Sequence, residues 1–179
     1  MFLDSALTFN SAVGTAQAFT TTADFAGVID VTGAGSGNAP AMVNSFPASS
    51  YQTLGNDYGA GDGIAIPHVV IFVTTAGTGT DTVTFSLSAA PDNGSSDVAG
   101  TYQILASTQA FVGTALTLGT VIDIPVPPVP SNFGEHPPRF YKLTYTTSGT
   151  TGVSALADMI LNPAQVAQLG RYSNNYIVV

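Results

Sequence analysis

Apolar and polar positions alternate with a period of two along much of this chain, and Gly and Pro interrupt the alternation often. That period puts successive side chains on opposite faces of a strand. Thr82–Ser88 shows it most cleanly, with Val83, Phe85 and Leu87 predicted inward and Thr82, Thr84, Ser86 and Ser88 outward. Phe140–Thr147 repeats the pattern, setting Tyr141, Leu143 and Tyr145 against Lys142, Thr144 and Thr146. Val69–Thr75 is a β-branched run suited to burial on both faces. Ala6–Asn10, Val28–Val31, Tyr102–Ser107, Val121–Val126 and Val153–Leu161 complete a set of eight predicted strands.

Turn chemistry separates them. Ala76-Gly77-Thr78-Gly79, Pro91-Asp92-Asn93-Gly94 and Ser148-Gly149-Thr150-Thr151-Gly152 each mark a tight reversal. One short helix is expected after the last strand, because Asn162 can cap it, Pro163 suits its first turn and Gly170 suits its stop. Many short strands and almost no helix predict an all-β fold, an antiparallel β-sandwich of jelly-roll type. We expect a sandwich over 1–161 with a long irregular loop at 33–63, then a short helix and an interaction tail over 162–179.

Composition changes the picture of function more than of fold. Only 8% of the residues are charged, against about 25% in an ordinary soluble domain. The chain has a formal charge of −8, and its cations are Arg139, Lys142 and Arg171. No basic patch can form from these three, which argues against a nucleic-acid partner. Cysteine and tryptophan are absent and Glu135 is the single glutamate, so little is on offer for acid–base or nucleophilic chemistry. The opening Met-Phe-Leu-Asp-Ser has no basic n-region. The longest apolar stretch, Ile64–Val73, falls short of the roughly 20 residues of a membrane span. A soluble protein with no membrane partner and no cofactor is expected.

The remaining motifs read as structure. Gly33-Ala34-Gly35-Ser36-Gly37 misses the phosphate-loop spacing. His68 has no second His or Cys at ligand spacing. Glu135, His136 and Arg139 sit among prolines in what reads as an extended loop, so a rim contact is favoured over an acid–base pair. Asp92–Asp97 offers oxygen ligands for Ca²⁺ but lacks the bidentate Glu of a calcium loop, and reads as an Asx-rich turn. Pro125–Pro130 contains PxxP spacing without an adjacent Arg and reads as a stiff crossover.

The tail carries the strongest interaction signal. Tyr172, Tyr176, Ile177, Val178 and Val179 stand where an ordinary terminus is polar. They either add a strand to their own sheet or pair with a neighbour. The candidate contact residues are Tyr172, Tyr176 and Ile177, then Phe2 and Leu3, then Phe46, Tyr51 and Tyr58 in the long loop.

Phe140-Tyr141-Lys142-Leu143-Thr144-Tyr145, preceded by Ile124-Pro125-Val126-Pro127, gives the chain a familiar arrangement. With Leu3-Asp4 through Phe9, the Val83–Asp92 strand and turn, and the Pro125–Gly152 region, it resembles the jelly-roll cement, or decoration, proteins of short-tailed bacteriophages. The resemblance covers most of the chain in order and rests on arrangement, with the 33–63 loop and the extension from Asn162 departing from it. It implies a non-enzymatic virion protein, made in the host cytoplasm, that binds the outside of an icosahedral capsid in many copies. Its implied partners are the major capsid protein and itself, as a homo-dimer or homo-trimer. The alternative is a glycan- or receptor-binding β-sandwich of a phage tail or adhesin, which the absence of tryptophan disfavours.

Overall fold

A computed structural model describes residues 8–12, 14–30, 67–91, 93, 98–127 and 138–160. Its strands are β1 (Gln17–Ala18), β2 (Ala23–Asp30), β3 (His68–Thr75), β4 (Thr82–Ala90), β5 (Gln103–Ser107), β6 (Phe111–Val112), β7 (Val121–Pro125), β8 (Phe140–Thr147) and β9 (Ser154–Ile160). A single 3₁₀ turn covers Gly113–Ala115. The strands form two antiparallel sheets, ordered β1-β9-β3-β7 and β2-β8-β4-β5, with β6 also against β4. The all-β sandwich expected from the alternation is therefore the architecture. The predicted helix from Asn162 and the 33–63 loop lie outside the described residues.

Pairing is nested: β1 pairs β9, β2 pairs β8, β3 pairs β7 and β4 pairs β5. The chain is thus a long antiparallel ribbon whose turning point lies between β4 and β5. Along each arm of the ribbon successive strands fall in opposite sheets, except that β5 and β6 both lie against β4. Alternation then gives each strand one face for the core. Val83, Phe85 and Leu87 are fully buried opposite Thr147, Tyr145 and Leu143 of β8, and Val69, Ile71 and Val73 do the same in the first sheet. The predicted inward set holds. Ser88, expected outward, does face outward but is buried, because Lys142 lies beside it on β8 and reaches Tyr102 on the far side of β4.

Aromatic rings fill the centre. Phe19 packs against Phe25, Phe85 and Tyr145 at centroid separations of 5.7, 5.4 and 4.6 Å. The two edge-to-face pairs, Phe19–Phe25 and Phe19–Phe85, add about 0.5–1.5 kcal/mol each beyond the area they bury. Burial pushes the Tyr141 phenol up to about 12, so the ring enters the core neutral.

Ala6–Asn10 was expected to be a strand. Its described part, Thr8–Asn10, makes one bridge, Thr8 to Asp158, and otherwise acts as a seam between the sheets. Phe9 N–H donates to Ala157 O of β9 at 2.9 Å, and Phe9 O accepts from Gly27 N–H of β2 at 2.7 Å. The Asn10 amide donates to Ala157 O and accepts from Ala157 N–H, taking the place of a neighbouring strand. The close approach needs Gly27, since a Cβ there would lie 2.8 Å from backbone atoms of Thr8, Phe9 and Asn10. The register of β2 shifts between Asp24 and Val28 to admit the seam.

At one end of the sandwich three turns touch backbone to backbone. Gly77 N–H donates to Leu116 O, Gly113 N–H to Asp81 O, Thr114 N–H to Gly79 O and Thr78 N–H to Thr151 O. A Cβ on Gly113 would sit 2.8 Å from Gly79 O and 3.1 Å from Thr151 O. The strands' other ends, at Asp30, His68, Ala90, Pro125, Phe140 and Ile160, all lie at the opposite end.

Two substitutions test these features by urea unfolding. Phe9→Ala is expected to cost about 3–5 kcal/mol, as for a buried aromatic that leaves a cavity. Gly113→Ala is expected to cost about 2–4 kcal/mol, because backbone and not a side chain would have to move. A loss below about 1 kcal/mol in either would contradict the corresponding contact.

Candidate interaction surface

The end opposite the three turns is where the chain's long segments attach. Thr8 bridges Asp158 near it, β2 leaves it at Asp30, β3 begins from it after Pro67, and β9 reaches it at Ile160. Phe2, Leu3, Phe46, Tyr51, Tyr58, Tyr172, Tyr176 and Ile177 lie outside the described residues. All eight belong to stretches of chain that join the sandwich at this one end. Glu135, His136 and most of Asp92–Asp97 are also outside the described residues, and of these motifs only Asn93 and Arg139 are inside.

Arg139 is buried, with its guanidinium 4.7 Å from the centre of the Phe140 ring. Its N–H donates to Ala90 O, so it extends the β8–β4 ladder by one residue at the attachment end. Its backbone and ring contacts are those of a structural arginine.

Two polar groups mark the outer faces. On the β2-β8-β4-β5 sheet, Lys142 Nζ lies 3.0 Å from Asp24 Oδ2 and 4.5 Å from the centre of the Tyr102 ring. Thr144 Oγ1 donates to Asp24 Oδ1. Partial burial pushes Asp24 up, but the hydrogen bonds from Thr144 and Lys142 and the lysine charge outweigh it, and the net direction is down. Tyr102 moves up, through burial and then the Asp24 charge. Sequence reasoning could not join these groups, because Asp24 and Lys142 are 118 positions apart and only the β2–β8 pairing unites them.

On the other sheet, His68 Nδ1 lies 2.7 Å from Asp123 Oδ1, across the β3–β7 pair. This fits the satisfied structural histidine expected from its lack of ligand-spaced neighbours. Asp158 shares this outer face, one strand further along in register with Val70. Burial pushes the Asp158 carboxyl up and a hydrogen bond with Thr8 offsets part of the rise, leaving it above its ordinary 3.8. Among the described residues no three His, Cys, Asp or Glu gather as a metal site, and no helix is long and apolar enough to cross a membrane. What these residues offer a partner is hydroxyls, backbone edges and apolar side chains.

The two shifted carboxyls have opposite linkage to stability. Asp158 is raised on folding, so its contribution is fullest below 3.8 and is lost as pH rises through the higher folded value. Asp24 is lowered, so its contribution is present above 3.8 and is lost as pH falls through the lower folded value. Urea unfolding across this range should show Asp158→Asn removing a loss of stability on the rising side. Asp24→Asn should remove one on the acid side. Profiles unchanged by both substitutions would contradict the two environments.

No protein-family model matches the chain, and no curated protein matches it.

Proposed function

We propose that this chain is a jelly-roll capsid cement protein with a structural, non-catalytic role. In this reading it binds the exterior of an icosahedral bacteriophage capsid in many copies and bridges neighbouring major capsid subunits. The observation that carries the proposal is the nested strand order. Pairing of β1–β9, β2–β8, β3–β7 and β4–β5 across two sheets, with β6 added against β4, supports a ribbon wrapped as two Greek keys. We read that order as a jelly roll, an arrangement used by viral capsid domains and also by lectins. The choice of capsid over glycan rests on the resemblance in strand and turn order and on the absence of tryptophan.

The division of the sandwich supports the same reading. One end is fixed by backbone contact among short turns, and the other carries the attachments of every segment that holds a candidate contact residue. A decoration protein needs that arrangement, because contacts of modest single-site strength, repeated by symmetry on a shell, add by avidity.

Deleting Arg171–Val179 should leave the melting temperature of the sandwich unchanged and abolish occupancy on shells that lack the protein. Particle-bound protein measured by quantitative gel or mass spectrometry gives the answer. Wild-type occupancy by the truncated chain would remove the tail from the contact. Failure of the full chain to bind such shells would remove the capsid role itself.

A further inference from the structure

We propose that the outer face of the β1-β9-β3-β7 sheet is a docking surface, and that residues 161–170 of this chain occupy it. The two sheets differ in what they turn away from the core. The β2-β8-β4-β5 sheet presents Thr82, Thr84, Ser86, Thr144 and Thr146, as an alternating sheet that faces water requires. On β3, Val69, Ile71 and Val73 take the core side, which leaves His68, Val70 and Phe72 outward. The register then sets Leu156 and Val121 on either side of Phe72, and Ile160 beside His68. This outer face is therefore largely apolar, and a sheet apolar on both faces is one that is covered on both.

Burial agrees. Val70 is 4% exposed and Ile160 is 5% exposed, yet neither belongs to the core between the sheets. Neighbouring strands lie in the plane of the sheet and leave its face open, whereas a covering layer stands over it. Ile160 is the stronger case, because it ends β9, where in-plane neighbours are fewest. The Asp158 carboxyl, outward on the same strand, is raised by burial as well. All nine described strands belong to the two sheets, so none of them lies over this face.

Residues 161–170 fit the place on three counts. They follow Ile160 directly, so a single reversal at the end of β9 brings them onto the face. They carry no charge, which suits a face that holds Asp158 and Asp123, whereas 1–7 brings Asp4, 31–66 brings Asp57 and Asp62, and 128–137 brings Glu135. Their sequence predicts a short helix with Val166 and Leu169 three apart on one side. As a helix, 163–169 spans about 10 Å. Two strand spacings, from β9 across β3 to β7, are also about 10 Å. Docking here does not depend on a capsid, and it roots the tail at 171–179 on the sandwich.

Photo-crosslinking of the full chain tests it. p-Benzoylphenylalanine in place of Phe72 keeps an aromatic ring on the face and adds a short-range reactive ketone. Irradiation of dilute protein should join it to a residue within 161–170, located by mass spectrometry of proteolytic fragments. The chain has no cysteine, so Phe72→Cys supplies a second readout. Maleimide should label it at least about tenfold more slowly than Ile104→Cys, whose position is 68% exposed. Adding Val166→Asp and Leu169→Asp should speed that labelling at least about tenfold, as the cover opens. A cooperative melt shows that each variant is folded, and Val121, in the same row, takes the place of Phe72 should its variants fail to fold. A crosslink to any other stretch, no crosslink within the chain, or labelling that the two aspartates leave unchanged overturns the proposal.

Discussion

Close backbone contact among three turns is the constraint on which the rest of the sandwich depends. The turns after β3, after β6 and after β8 meet at one end and exchange hydrogen bonds directly, without side chains between them. Glycine at 77 and 113 makes this possible, because any Cβ at either position would enter the neighbouring carbonyl. All three turns, β3 to β4, β6 to β7 and β8 to β9, carry the chain from one sheet to the other. Fixing them together sets the sheets' relative position and leaves the opposite end to the longer segments. The Phe9 seam then closes one side by hydrogen bonding to both sheets.

The scarcity of charge has a structural counterpart. With few ionic groups, the outer face of the β2-β8-β4-β5 sheet is built from Thr and Ser, as in the Ser86–Ser107 hydroxyl contact at 2.8 Å between β4 and β5. Among the described residues, Asp123 sits on the edge strand β7, and Lys142 links β8 to β2 through Asp24. Such exposed ion pairs contribute little stability each, about 0–1 kcal/mol. The fold is therefore held by aromatic and aliphatic packing and by backbone pairing.

Strand identity was legible where alternation was long enough to assign faces. Val83, Phe85 and Leu87, and Tyr141, Leu143 and Tyr145, all point into the core as their spacing predicts. The short strands β1 and β6 were not legible, because two residues carry no period and exist only through their partners. The seam was read as part of a strand, Ala6–Asn10, whereas its geometry is decided by Ala157 and Gly27, far away in sequence. The same holds for the polar clusters. His68 was readable as a histidine without ligand neighbours, but Asp123 became its partner only through the β3–β7 register. The eight contact residues chosen from the sequence lie outside the described residues, and the structure fixes only the end at which their segments attach.

A sandwich with one rigid end, segments attached at the other, and little acid–base chemistry on its described faces fits a protein whose work is done by its surface. The most direct measurement is the number of copies of this chain per purified virion, relative to the major capsid protein. The account requires a fixed ratio in which copies are comparable in number to the shell subunits. A handful of copies, or none, would contradict it.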